Sequence, residues 1–124
     1  MTTTLTVPSV TQIRAGAAAM LKRGGWIKGD YYSNTGKDTG VCLVAAIGLA
    51  AGLPATALAS LKPGTQDADY LARWNVAQQV CAEIAEKLGR PAHEMAATRW
   101  LSFWNDRPAT TFGEVLAALE GKAA

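Results

Sequence analysis

One histidine and two cysteines in 124 residues leave little from which to build a metal site or a disulfide framework. His93, Cys42 and Cys81 cannot close a structural zinc site, which takes four ligands, without carboxylates. Two isolated cysteines do not staple a chain of this size. No cofactor and no metal are expected. Long apolar runs are missing too, since the longest, Val41 to Leu53, falls well short of the roughly 20 residues that span a bilayer. The opening MTTTLTVPSV has neither a basic nor an apolar leader region, so the cytoplasm, with reduced thiols, is the expected compartment. No sign of charge dominates. Residues 1–62 carry six Lys/Arg against two Asp/Glu, and residues 63–124 six against eight, giving +4 and −2 for the halves and +2 overall. That balance is too even to imply nucleic acid, and too mild to do more than orient a partner.

What is present is an ordinary globular composition, because 49% apolar and 18% charged residues can bury a core without staples. Residues 1–8 read as a flexible lead and 9–121 as a single helical domain. Ser9 is a candidate N-cap for a helix in which Val10, Ile13, Ala17, Met20 and Leu21 recur at helical spacing, up to Gly24-Gly25. Residues 25–40 (GWIKGDYYSNTGKDTG) are plainly not helical. Their glycines and Asn34 favour turns while Trp26, Ile27, Tyr31 and Tyr32 favour extended backbone, so a short hairpin or an ordered loop is expected. VCLVAAIGLAAG (41–52) is apolar on every side, the mark of a helix enclosed by its neighbours. A short helix is expected within 53–64, closed by Pro63-Gly64. The spacing of Trp74, Ala77, Cys81, Ile84 and Leu88 predicts a helix from Gln66 to Leu88, stopped by Gly89 and Pro91. Residues 92–104 read as one or two helical turns, and Phe112 to Glu120 as a last helix. The expected fold is therefore mainly all-α, a small bundle of about five helices around an apolar central one, with one aromatic glycine-rich loop.

Several chemistries fail on their own motifs. Gly36-Lys37-Asp38-Thr39 resembles a phosphate loop, but Tyr31 stands at the required glycine and Asp38 at the required hydroxyl residue. Asp30, Tyr32 and Asn34 have calcium-loop spacing, but Tyr32 cannot ligate as a carboxylate does and Thr35 replaces the turn glycine. Cysteine catalysis retains candidate residues. Cys42 follows Gly40 at a helix start, where amides and the helix dipole lower a thiol pKa; His93 would be the base, with Asp106 or Asn105 orienting it. The plainer reading, which we favour, makes Cys42 a small hydrophobe at the edge of a buried helix. Single-stranded nucleic-acid binding would use Trp26, Tyr31 and Tyr32 as stacking groups beside Lys28 and Lys37. Those same five residues suit a protein partner, since an aromatic loop longer than a connector needs is often a binding loop.

Residues 103–115, FWNDRPATTFGEV, pose the remaining question. Thr111 and Glu114 stand at capping-box spacing. Asn105, Asp106 and Pro108 are turn formers, and Trp104 would dock this corner on the core. The box Trp104-Asn105-Asp106 is thus expected to be an architectural clasp between the last two helical segments.

Taken in order, Gly25-Trp26, Cys42 with Ala45-Ala46, Trp104-Asn105-Asp106, and Thr111 with Glu114-Val115-Leu116 resemble a family of small uncharacterised proteins from actinobacteria and their phages. The likeness covers about residues 12–120, and departs at Ala45, where a glycine is usual in that family. It implies an intracellular protein with no assigned activity and, where phage-borne, roles such as host takeover or anti-defence. It implies no histidine, which counts against a Cys42–His93 pair. The functional expectation is a non-enzymatic module binding another protein, with a Cys42-dependent hydrolase or transferase as the alternative.

Overall fold

The computed structural model describes residues 7–29, 32–35, 38–60, 62–91 and 95–121. Helix α1 spans Val10–Gly24 and begins with a full capping box: the Ser9 hydroxyl accepts from the Gln12 amide, and the Gln12 side chain accepts from the Ser9 amide. Its buried residues, Ile13, Ala17, Ala18 and Leu21, share one face. Lys22 and Arg23 sit in the last turn, where the helix dipole favours positive charge. Gly25, at φ 97°, then turns the chain in a way that L side chains resist.

The 25–40 segment contains a hairpin. Strands β1 (Tyr32–Thr35) and β2 (Asp38–Val41) pair antiparallel, with Tyr32 opposite Val41 and Thr35 opposite Asp38. Trp26 adds a parallel bridge to Val41, because the Ile27 amide donates to the Val41 carbonyl and the Val41 amide to the Gly25 carbonyl. Gly40 is needed at this crossing. A Cβ there would lie 2.9 Å from the Ile27 side chain and 3.0 Å from the Gly25 carbonyl oxygen. The helix expected from residue 41 accordingly starts later, since Val41 is committed to the sheet.

Helix α2 (Leu43–Ala50) is the central element, with Leu43 to Gly48 all buried and with α1, α3 (Ala68–Lys87) and α4 (Ala97–Asp106) around it. Each Leu or Ile enclosed this way contributes about 2 kcal/mol relative to exposure. The Arg73 guanidinium of α3 lies against Gly52 and donates to the Ala51 carbonyl at 3.0 Å, satisfying the end of α2. The short helix expected within 53–64 is a single 3-10 turn, Ala57–Ala59. Helix α3 (Ala68–Lys87) is capped by Asp67 accepting from the Tyr70 amide and buries Ala77, Val80, Cys81, Ile84 and Ala85.

Helix α4 (Ala97–Asp106) is where the structure departs most from expectation. Of the turns expected over 92–104, residues 92–94 lie outside the described residues and 97–104 belong to one continuous helix that carries Asn105 and Asp106 within it. Its inner side, Thr98, Trp100, Leu101, Trp104 and Asn105, is buried against α2 and α3. Packing of this stripe outweighs the modest helix propensities of Thr, Ser, Trp, Asn and Asp. Helix α5 (Phe112–Glu120) closes the bundle against α1 and ends at Gly121 in the left-handed region. No helix among the described residues is long and apolar enough to cross a membrane.

Candidate functional site

Among the described residues a dense polar cluster lies where the C-terminus of α4 meets the 25–29 segment and the start of α2. Asn105 is its centre and is fully buried. Its Oδ1 accepts from the Trp26 indole N–H at 2.6 Å and from the Leu43 amide at 3.1 Å; its Nδ2 donates to the Ile27 carbonyl at 3.1 Å and to Asp106 Oδ1 at 3.0 Å. Both lone pairs and both N–H groups of the amide are therefore used. Asp106 Oδ1 also accepts from the Gly29 amide at 2.8 Å. Helical spacing aims consecutive residues at different surfaces, so Trp104 enters the core while Asn105 reaches the loop and Asp106 its edge.

The clasp expected between the last two helical segments thus reaches, through the side chains of Asn105 and Asp106, to the 25–29 segment and α2. Thr110 links the end of α4 to the start of α5, and α5 is capped by its own residues. Thr110 Oγ1 donates to the Trp104 carbonyl at 2.6 Å. The Thr111 hydroxyl accepts from the Glu114 amide at 3.2 Å while the Glu114 carboxylate accepts from the Thr111 amide at 3.0 Å.

Trp26 and Lys28, read from the sequence as partner-facing, both make contacts within the chain, Lys28 while remaining exposed. Trp26 stacks on Phe112 with centroids 5.9 Å apart, besides its bond to Asn105. Lys28 Nζ donates to the Arg107 carbonyl at 2.6 Å and lies 5.3 Å from the Trp26 ring. Tyr31, Lys37 and His93 lie outside the described residues, as does the side chain of Tyr32.

Cys42 is the N-cap of α2, and its Sγ accepts from the Ala45 amide at 3.4 Å. Burial pushes its thiol above the ordinary range; the Ala45 and Val44 amides pull the other way, and the negative charge of Asp106 adds to the rise. A helix N-terminus alone would lower this pKa, but here desolvation prevails and the thiol is neutral at pH 7. Asp106, read from the sequence as a group that could orient His93 in a cysteine mechanism, thereby disfavours the Cys42 thiolate. Cys81 is wholly enclosed, and burial raises its thiol to about 12.

Over residues 6–124 the chain matches the model of a family of unknown function, DUF6197. It belongs to that family. No curated protein and no solved structure matches it. The DUF6197 match spans the Asn105 cluster, the hairpin and every helix of the bundle.

One feature was not assigned a role from the sequence. Phe103, one residue before the box, is 58% exposed, and Met95 is 36% exposed; they are the large hydrophobics most open to solvent among the described residues. The signal was the alternation within RWLSFWND itself. Once Trp100, Leu101, Trp104 and Asn105 face inward, helical spacing sends Phe103 outward.

Proposed function

We propose that the protein is a non-enzymatic protein-binding module whose contact surface is the outer side of α4. The observation that supports this is the division of labour along one helix. The polar groups able to do chemistry are consumed internally, whereas the neighbouring Phe103 is presented to solvent. Aromatic residues, Met and Arg are enriched at protein interfaces relative to the rest of the surface. Binding centred on the 25–40 loop has less support, because Trp26 and Lys28 already have partners within the fold. The resemblance to proteins of actinobacteria and their phages supports the finer reading of a cytoplasmic, phage-encoded accessory protein acting on a host complex, in host takeover or anti-defence.

A photoreactive benzoyl-phenylalanine in place of Phe103, irradiated in a lysate of the source cells, tests the reading. The expected result is a nuclease-resistant, protease-sensitive adduct that is missing when the same group replaces the exposed Asn75 of α3. A nuclease-sensitive adduct, or none above the Asn75 control, would overturn it.

A further inference from the structure

We infer that the outer face of α4 binds an acidic peptide segment bearing an apolar anchor, with Phe103 meeting the anchor and Arg99 and Arg107 meeting the carboxylates. The inference rests on the protein-binding reading and adds the chemistry of the partner. At 100° per residue, Ala96, Arg99, Phe103, Asp106 and Arg107 share one stripe, with the two arginines four residues before and after the phenylalanine. A rise of 1.5 Å per residue places Arg99 and Arg107 about 6 Å along the axis on either side of Phe103. Arg99, Phe103 and Arg107 are all exposed. Phe103 and Met95 are the exposed large hydrophobics among the described residues.

Charge decides which partner fits. Among the described residues four long cations are paired with carboxylates elsewhere, Arg14 with Glu83, Lys22 with Glu120, Arg73 with Asp69 and Arg90 with Glu86, whereas Arg23, Lys62 and Lys87 are not. Arg99 and Arg107 pair with no carboxylate among the described residues. Lys28 brings a third cation to the same end, its ammonium bound to the Arg107 and Pro108 carbonyls. The stripe's own carboxylate, Asp106, directs Oδ1 at the Gly29 amide and the Asn105 side chain. Among the described residues positive charge is therefore in surplus around an exposed aromatic.

The platform is also held in place. The Arg107 guanidinium lies 5.5 Å from the Trp100 ring centroid, and Trp104 and Asn105 fix the helix from behind. Arginine on a fixed support suits bidentate recognition of a carboxylate. Nucleic acid fits less well. Among the described residues α4 presents one exposed aromatic rather than a row of stacking platforms.

The test uses a short fluorescein-labelled peptide of Asp and Glu residues around a central Leu-Phe pair, titrated with the full chain and followed by anisotropy. Saturable binding is expected, weakening with added salt and lost when Leu-Phe is replaced by Ser-Ser. Phe103→Ala and Arg99→Glu should each weaken it at least about tenfold, with far-UV circular dichroism unchanged. Absence of saturable binding, binding that neither variant alters, or tighter binding of a labelled oligothymidylate that both variants weaken would each overturn the inference. If the peptide fails while the position-103 adduct is still a protein, the acidic partner is wrong and the protein-binding reading stands. If no protein adduct forms either, both fall.

Discussion

Asn105 shows how a single side chain can fix a fold. A carboxylate at this position could not donate to the Ile27 carbonyl, and an apolar residue would strand the Trp26 indole N–H and the Leu43 amide. Buried groups left without partners cost about 1–3 kcal/mol each. Asp106 differs because it is exposed, so water replaces part of what its removal takes away. Asp106→Ala is therefore expected to lower the unfolding free energy by about 1 kcal/mol, measured by urea denaturation. Cys81 gives a prediction of a different kind. Its thiol is neutral when protonated, and burial raises its pKa from 9.0 to about 12 in the folded chain. The folded state thus favours the protonated form. The contribution is complete below pH 9 and is lost as pH rises toward 12. Wild type should accordingly lose on the order of 2 kcal/mol more than Cys81→Ala between about pH 8 and about pH 11. Parallel pH profiles for the two proteins would contradict the enclosed thiol.

At the level of elements, much was legible because local chemistry and tertiary packing agree. The Ser9 box, the apolar stripe of α3 and the Thr111–Glu114 box are readable directly from residue types and spacing. Thr111→Ala is expected to cost about 1 kcal/mol, seen as a lower urea midpoint with an unchanged slope. Helix α4 was not legible in the same way. Trp104, Asn105 and Asp106 read as a corner since Asn and Asp favour turns, and only the tertiary partners Ile27, Gly29 and Leu43 make a helix end there favourable. The sheet crossing was hidden for a similar reason. Nothing local marks Gly40 as the glycine that faces Gly25, since that contact joins two separate segments. Gly40→Ala is expected to cost about 1–3 kcal/mol, because the Gly25 backbone as well as the Ile27 side chain blocks the added carbon. A neutral outcome in thermal denaturation would mean that the crossing can open without penalty.

Across the whole molecule, the Asn105 cluster joins parts that are far apart in sequence, with Trp26 and Asn105 separated by 79 positions. It ties the exit from α1, the entry to α2 and the end of α4 to one amide, while Phe112 brings in α5 by stacking on Trp26. This explains why the candidate site was only half legible. The conspicuous residues, Trp26, Cys42 and the Trp104-Asn105-Asp106 box, are conspicuous because they hold the fold. The residue proposed to act outward, Phe103, is marked in the sequence only by its phase on a helix that the sequence does not announce. The central claim is thus that the inward residues of α4 build the structure and its outward residues are free for a partner. Urea unfolding of Asn105→Ala and Phe103→Ala, measured side by side by tryptophan fluorescence, tests it most directly. The expected result is a loss of about 3 kcal/mol for Asn105→Ala and less than about 0.5 kcal/mol for Phe103→Ala. Equal losses for the two variants would contradict it.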